Sequence, residues 1–286
     1  MDNLATCAAD CGHDLALMAR DKLPARVRKE QPICTYCGVS PTEQVDHCPP
    51  KSVFIGSLRP QGLEFGCCDA CHQPTRAIDQ IAATFSRLMP GPQTELEEAD
   101  IWKYAEATKN NYPEIIELFR GGVEMPDGNI AIQISGPNAA RMHYAMNAFC
   151  ARLALGLYRQ RVGKPAAPQM RIYATYYTAA EIQLGEVDPR IFQVMREPKT
   201  LKAGRNSAAN QFQYDWYYDD ADPHGFFVMF AEFRKSFCPF VMIKPDLMDF
   251  EIYGNKGAVF KPGFLKGMDY RDVGQWEERR REGLKE

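Results

Sequence analysis

Three short stretches decide how this chain reads: Cys34-Thr35-Tyr36-Cys37-Gly38, Val45-Asp46-His47-Cys48-Pro49-Pro50-Lys51 and Cys68-Asp69-Ala70-Cys71-His72. The first and third are Cys-x-x-Cys pairs. Zinc takes four soft ligands in a tetrahedron, and each such turn offers two thiolates from neighbouring backbone positions. Gly38 directly after the first pair suits the tight turn of a knuckle. Two knuckles predict one closed structural zinc site held by Cys34, Cys37, Cys68 and Cys71; the alternatives are free thiols or a redox pair. A bound zinc would stabilise a segment too short to build a large core. Of the ten cysteines, only Cys150 and Cys238 lie beyond position 71, and that clustering favours metal ligation over a disulfide framework.

Between the knuckles, Asp46 and His47 set a hard oxygen ligand beside a titratable imidazole. Neighbours on a strand point to opposite faces, so both serve one site only near a strand end. Pro49 and Pro50 would end the strand there. Phosphodiester hydrolysis needs a base that can take a proton from water at neutral pH, which suits histidine. It also needs a divalent cation against the charge developing on phosphate. Asp46 and His72 are therefore read as ligands of that cation and His47 as the base. Among the nearby cations Lys51, Arg59, Arg76 and Arg87, Arg76 follows His72 by one helical turn and is read as the phosphate clamp, with Lys51 as a second contact.

Outward from this core, residues 1–30 read as a helical extension, with Leu15, Leu17 and Met18 leading into a basic run broken by Pro24. The zinc-containing module spans 31–90, and Ile78, Ile81, Ala82 and Phe85 predict a helix over Thr75–Leu88. Pro90-Gly91-Pro92 marks a linker. From 95 to 286 the pattern is that of a larger α+β domain. One or two helices are predicted in Glu95–Phe119, a hairpin between Gly121-Gly122 and Pro126-Asp127-Gly128, and a strand over Asn129–Ser135. The strongest helix of the chain covers Arg141–Arg161, with Met142, Ala145, Phe149, Leu153 and Leu157 along one face. Strands follow over Met170–Tyr177, Gln211–Tyr218, Phe226–Phe233 and Phe240–Lys244, and the tail from Trp276 reads as charged and exposed. The period-2 stripe Phe212, Tyr214, Trp216 and Tyr218 is a sheet face on a core in preference to a base-stacking platform.

The remaining polar features have plainer readings. Cys7, Cys11 and His13 lack a fourth ligand and read as buried thiols with a nearby imidazole. Cys48 and Cys67 are spare thiols beside the knuckles. His143 and His224 are lone histidines, Asp79 an exposed helix acid, and Asp219, Asp220, Asp222 and His224 a solvated hairpin turn.

Composition limits the function classes. The 286 residues are 45% hydrophobic and 25% charged, a core-forming composition without an apolar run long enough to span a bilayer. With no secretory signal at the N-terminus, a cytoplasmic location is expected. The net charge of -3 argues against a protein that coats nucleic acid by bulk electrostatics, though not against an enzyme with a local cationic patch.

The ordered motifs resemble the HNH, or His-Me finger, endonucleases with a treble-clef zinc site found in bacteria and phages. The resemblance covers about a fifth of the chain. It rests on Cys34-x-x-Cys37-Gly38, Asp46-His47 followed by Pro49-Pro50-Lys51, Cys68-x-x-Cys71-His72, and the helix after them. The resemblance implies a ββα-metal fold, Asp46 and His72 on a catalytic Mg²⁺, Mn²⁺ or Ni²⁺, and His47 as general base. It also implies a nucleic-acid substrate, DNA before RNA, and a role in defence between bacteria and mobile elements. Two positions depart from the family pattern. His72 stands where Asn is commonest, and no Asn occupies the base-orienting position near Gln61-Gly62-Leu63, where Gln61 is the nearest substitute. His72 would shift the metal preference from Mg²⁺ toward Mn²⁺, Zn²⁺ or Ni²⁺, while the missing Asn and the acidic balance favour the alternative reading, a catalytically degraded zinc-knuckle module that binds nucleic acid or a protein without cutting. The C-terminal domain is expected to recognise substrate, a protein partner or a twin subunit.

Overall fold

The computed structural model describes residues 23–55, 59–88, 94–118, 123–124, 130–131, 139–203, 206–221, 225–245 and 256–282. Cys7, Cys11 and His13, the Pro90-Gly91-Pro92 linker, both hairpin-bracketing turns, Asp222 and His224 lie outside them.

The chain is α+β. Helix α1 (23–30) leads into an antiparallel hairpin of β1 (Gln44–His47) and β2 (Glu64–Cys67). A single-turn helix α2 (Asp69–His72) and the helix α3 (Thr75–Leu88) follow, the latter with the predicted bounds. The Glu95–Phe119 stretch resolves into α4 (Glu95–Asn111) and α5 (Pro113–Leu118). Thr94 caps α4 by accepting from the Glu97 backbone N–H, and three acids in the first turn complement the helix dipole. A short hairpin pairs β3 (Val123–Glu124) with β4 (Ile130–Ala131), where the sequence predicted one.

Helix α6 (Ala139–Val162) is the centre of the molecule. It is followed by β5 (Arg171–Thr178), α7 (Ala179–Gln183), the small hairpin of β6 (Lys202–Ala203) and β7 (Asn206–Ser207), and then β8 (Phe212–Tyr218), β9 (Phe227–Phe233) and β10 (Phe237–Lys244). With β11 (Ala258–Phe260) these form one antiparallel sheet in the order β11-β5-β10-β9-β8. The Phe212, Tyr214, Trp216, Tyr218 stripe packs on the main core, as its period predicted. The tail differs from expectation. It forms α8 (Val273–Glu282), and Trp276 is buried beside Tyr144, because one large apolar ring is enough to dock an otherwise charged helix.

Helix α6 is buried on nearly every side from Met142 to Arg159 because it lies between the sheet and α3, with Phe65 of the hairpin closing on Gly156. One contiguous core therefore runs from Cys34 to Trp276 through both halves of the chain. The closest seam is at Gly156, where a Cβ would sit 2.5 Å from Cε2 of Phe65 on β2. Gly156→Ala gains about 1 kcal/mol of helix propensity but forces an overpacking cost of about 1–3 kcal/mol. Because the Phe65 ring is itself buried and cannot retreat, the clash wins. Urea denaturation should show a net loss of about 1 kcal/mol, and a gain in stability would mean that the seam is loose. Among the described residues no helix is long and apolar enough to cross a membrane.

Candidate metal centre and active site

The two knuckles meet. Cys34, Cys37, Cys68 and Cys71 are all buried, and one sulfur from each lies within 4.8 Å of the others. Zn–S bonds of about 2.3 Å place tetrahedral sulfurs roughly 3.8 Å apart, so the four can close on one zinc ion with little movement. The first knuckle turns through Gly38, whose φ is +69° and whose N–H donates to the Cys34 carbonyl at 3.0 Å. The second turns onto α2, with the Cys71 and His72 N–H groups both donating to the Cys68 carbonyl. Crowding splits the thiols. Hydrogen bonding with Cys37 pushes Cys34 up to about 11, Cys34 and Cys37 push Cys71 higher, and bonds from both neighbours hold Cys37 far down. Four thiols this close cannot all ionise without a cation among them. Lys266, from the loop before α8, leans over this centre and donates to Ser40 Oγ at 2.9 Å. No other group of three or more metal-ligating side chains occurs among the described residues; Cys48 and Cys67 are buried but outside the set.

The β1–β2 register then separates Asp46 from His47. Asp46 pairs with Phe65 and His47 with Glu64, so strand alternation turns Asp46 inward and His47 to the opposite face. Asp46 is 3% exposed. Its Oδ2 accepts from the Tyr36 hydroxyl at 2.5 Å and lies 3.5 Å from Arg152 Nε. Its Oδ1 faces His72 Nδ1 at 3.8 Å. That His72 nitrogen is buried and makes no hydrogen bond among the described residues. Burial, and then the Asp46 charge, raise the Tyr36 phenol, so it stays protonated and donates.

Arg152, from the middle of α6, heads the large, fully buried side chains among the described residues. Its Nη2 lies 2.7 Å from Asp79 Oδ1 on α3, and its Nε lies 3.5 Å from Cys48 Sγ. Burial opposes the guanidinium charge, but Asp46 and Asp79 outweigh it and raise its pKa. Burial likewise pushes the Asp79 carboxyl up to about 7 against the pull of Arg152, and the Cys48 thiol up to about 12. One buried cation thus stands between Asp46 and Asp79, and of the two carboxylates it is Asp46 that faces His72.

On the other face, His47 Nδ1 lies 3.7 Å from Glu64 Oε1. Glu64 is in turn held by the Gly62 N–H at 2.8 Å and by Arg59 Nη1 at 3.3 Å. Burial works against the Glu64 charge, yet His47, Gly62 and Arg59 together hold its carboxyl down at about 2. A depressed carboxyl contributes stability above its ordinary value of 4.5, and that contribution is lost as pH falls from there toward about 2. The urea midpoint should therefore drop across that acid window in the native chain. In Glu64→Gln the drop should be visibly shallower, and identical pH profiles would mean that this carboxylate is not held.

The remaining candidates divide. Lys51 and Arg76 are exposed, and neither side chain bonds to Asp46, His47 or His72. Arg59 and Arg87 are structural cations. Arg59 binds the carbonyls of Pro49, Pro60 and Gly62, whereas Arg87 binds those of Ser52 and Phe54 and pairs with Asp100. Asp79 is bound to Arg152 and only part-exposed, which corrects its reading as an exposed helix acid. The sequence reading missed Tyr36, Glu64 and Arg152. For Arg152 there was a signal, a single charge inside Phe149-Cys150-Ala151-Arg152-Leu153-Ala154-Leu155, where an unpaired guanidinium would be very costly. No family profile, no curated protein and no solved structure matches the chain.

Proposed function

We propose that the protein is a metal-dependent endonuclease of the HNH type that hydrolyses phosphodiester bonds in nucleic acid. The observation that carries this reading is the division of Asp46. One carboxylate oxygen is tied down by Tyr36 and Arg152, and the other faces an otherwise unbonded His72 nitrogen. A carboxylate oxygen and an imidazole nitrogen turned toward each other are a fitting donor pair for a hard or borderline divalent cation. Asp46 and His72 would hold that ion, and when bound it supplies neutralisation of the charge that develops on the scissile phosphate. His47, one-third exposed, accepts a proton from the attacking water. Glu64 behind it does the orienting work assigned in the family pattern to Asn: its carboxylate faces the buried, otherwise unbonded His47 Nδ1 at 3.7 Å, beyond hydrogen-bond length, and steers the ring by its charge, with Nε2 left as the acceptor. Arg76 and Lys51 are the exposed cations for flanking phosphates. DNA is the favoured substrate and defence between bacteria and mobile elements the favoured setting, both by resemblance alone.

The burial of Asp46 favours a second reading, a zinc-stabilised module that binds nucleic acid or a protein without cutting. Nicking of supercoiled plasmid in Mg²⁺, Mn²⁺ or Ni²⁺ separates the two. The nuclease reading expects metal-dependent nicking that His47→Ala removes, and nicking that is absent with every metal, or survives that substitution, would replace it with the second.

A further inference from the structure

We propose that Arg152 is a positioning residue for the metal-binding carboxylate, delivered to the site by α6 from outside the cysteine-rich segment; this rests on the nuclease reading above. The side chain is fully buried and spans Asp46 and Asp79, with Nε 3.5 Å from the first and Nη2 2.7 Å from the second. A lysine would offer a point charge at this place, whereas the planar guanidinium contacts two carboxylates and a thiol from fixed directions. The contact falls on Asp46 Oδ2, the oxygen already bonded to Tyr36, and leaves Oδ1 turned to His72. Arg152 therefore sets which way the carboxylate presents its free oxygen. The plainer account, a buried ion pair that merely fastens α6 to α3, covers the Nη2 contact with Asp79 but not the placing of Nε against the one Asp46 oxygen that Tyr36 already holds. Buried ion pairs are also a poor source of stability compared with apolar packing.

Removing Arg152 alone would change both geometry and charge. Compared above about pH 8, where Asp79 with its carboxyl at about 7 is ionised, the double substitution Arg152→Met with Asp79→Asn removes one charge of each sign and keeps the net charge of the site while removing the contact that orients Asp46. Mn²⁺ binding to the full, zinc-loaded chain, followed by electron paramagnetic resonance alongside plasmid nicking, reads that loss directly. Loss of a partner that orients a metal ligand is worth about 10–100-fold in affinity. We expect Mn²⁺ affinity to fall by about tenfold or more with zinc content and thermal midpoint retained. Arg152→Lys, which keeps the charge and loses the fork, should fall between the two and serves if the double variant does not fold. Native-like Mn²⁺ affinity in a folded Arg152 variant overturns the positioning role and leaves the nuclease reading intact. A native chain that neither binds Mn²⁺ nor nicks DNA removes the nuclease reading and this inference with it.

Discussion

On the proposed nuclease reading, His47→Ala should lower the rate of plasmid nicking by about 10²- to 10⁴-fold, the usual worth of a general base. The substitution is clean because His47 lies on the outward face of β1, away from the core, and its contact is with Glu64. Glu64 keeps Arg59 and the Gly62 N–H, so no buried charge is stranded. Zinc content and thermal midpoint should stay at native values. A fall in rate accompanied by a fall in the midpoint would instead mean that the ring has a packing role. Glu64→Gln should give a smaller fall in rate, since it loosens the base without deleting it, and added imidazole should restore part of the activity of His47→Ala alone.

The second large effect is on folding. Cys71→Ser removes one of four clustered, buried thiols that could hold a zinc ion, and a strong chelator would remove the cation that lets such thiols ionise together. Structural zinc contributes roughly 10–16 kcal/mol of apparent binding energy in small zinc-dependent domains, a figure that rivals the whole stability of an ordinary domain. Because the core is contiguous from Cys34 to Trp276, the loss should not stay local. Calorimetry of the Cys71→Ser chain should show one transition at much lower temperature, with near-stoichiometric zinc lost by elemental analysis. An unchanged transition in the chelated native protein would show that the four thiols hold no structural metal.

Much of the architecture was legible because it depends on local signals. Period-3.6 patterning located α3 and α6, period-2 patterning located β5, β8, β9 and β10, and paired cysteines marked the zinc site before any contact was known. The site is different. That Glu64 stands behind His47 follows from the β1–β2 register across the long 48–63 connection, entered into β2 through Leu63 at φ +57° on a non-glycine residue, which sequence patterns do not announce. That Arg152 reaches Asp46 follows from the packing of α6 across the hairpin, more than a hundred positions along the chain. Gln61, the nearest amide to the missing Asn, proved exposed at a bend, and the strand behind it supplied a carboxylate instead. Trp276 was misread for a related reason: composition places a tail of Glu and Arg in solvent, and only tertiary packing shows that one ring in it is an anchor.

The seam of Phe65 on Gly156, with Arg152 one turn away, bears on how such a protein can be rearranged. Segment 31–90 is not a cassette. Transplanted to another scaffold it would carry its own metal clamp, but it would leave behind the helix that closes one wall of the hairpin and supplies the counter-charge to its central acid. Any graft or minimal version must take α6 along as an inseparable third layer.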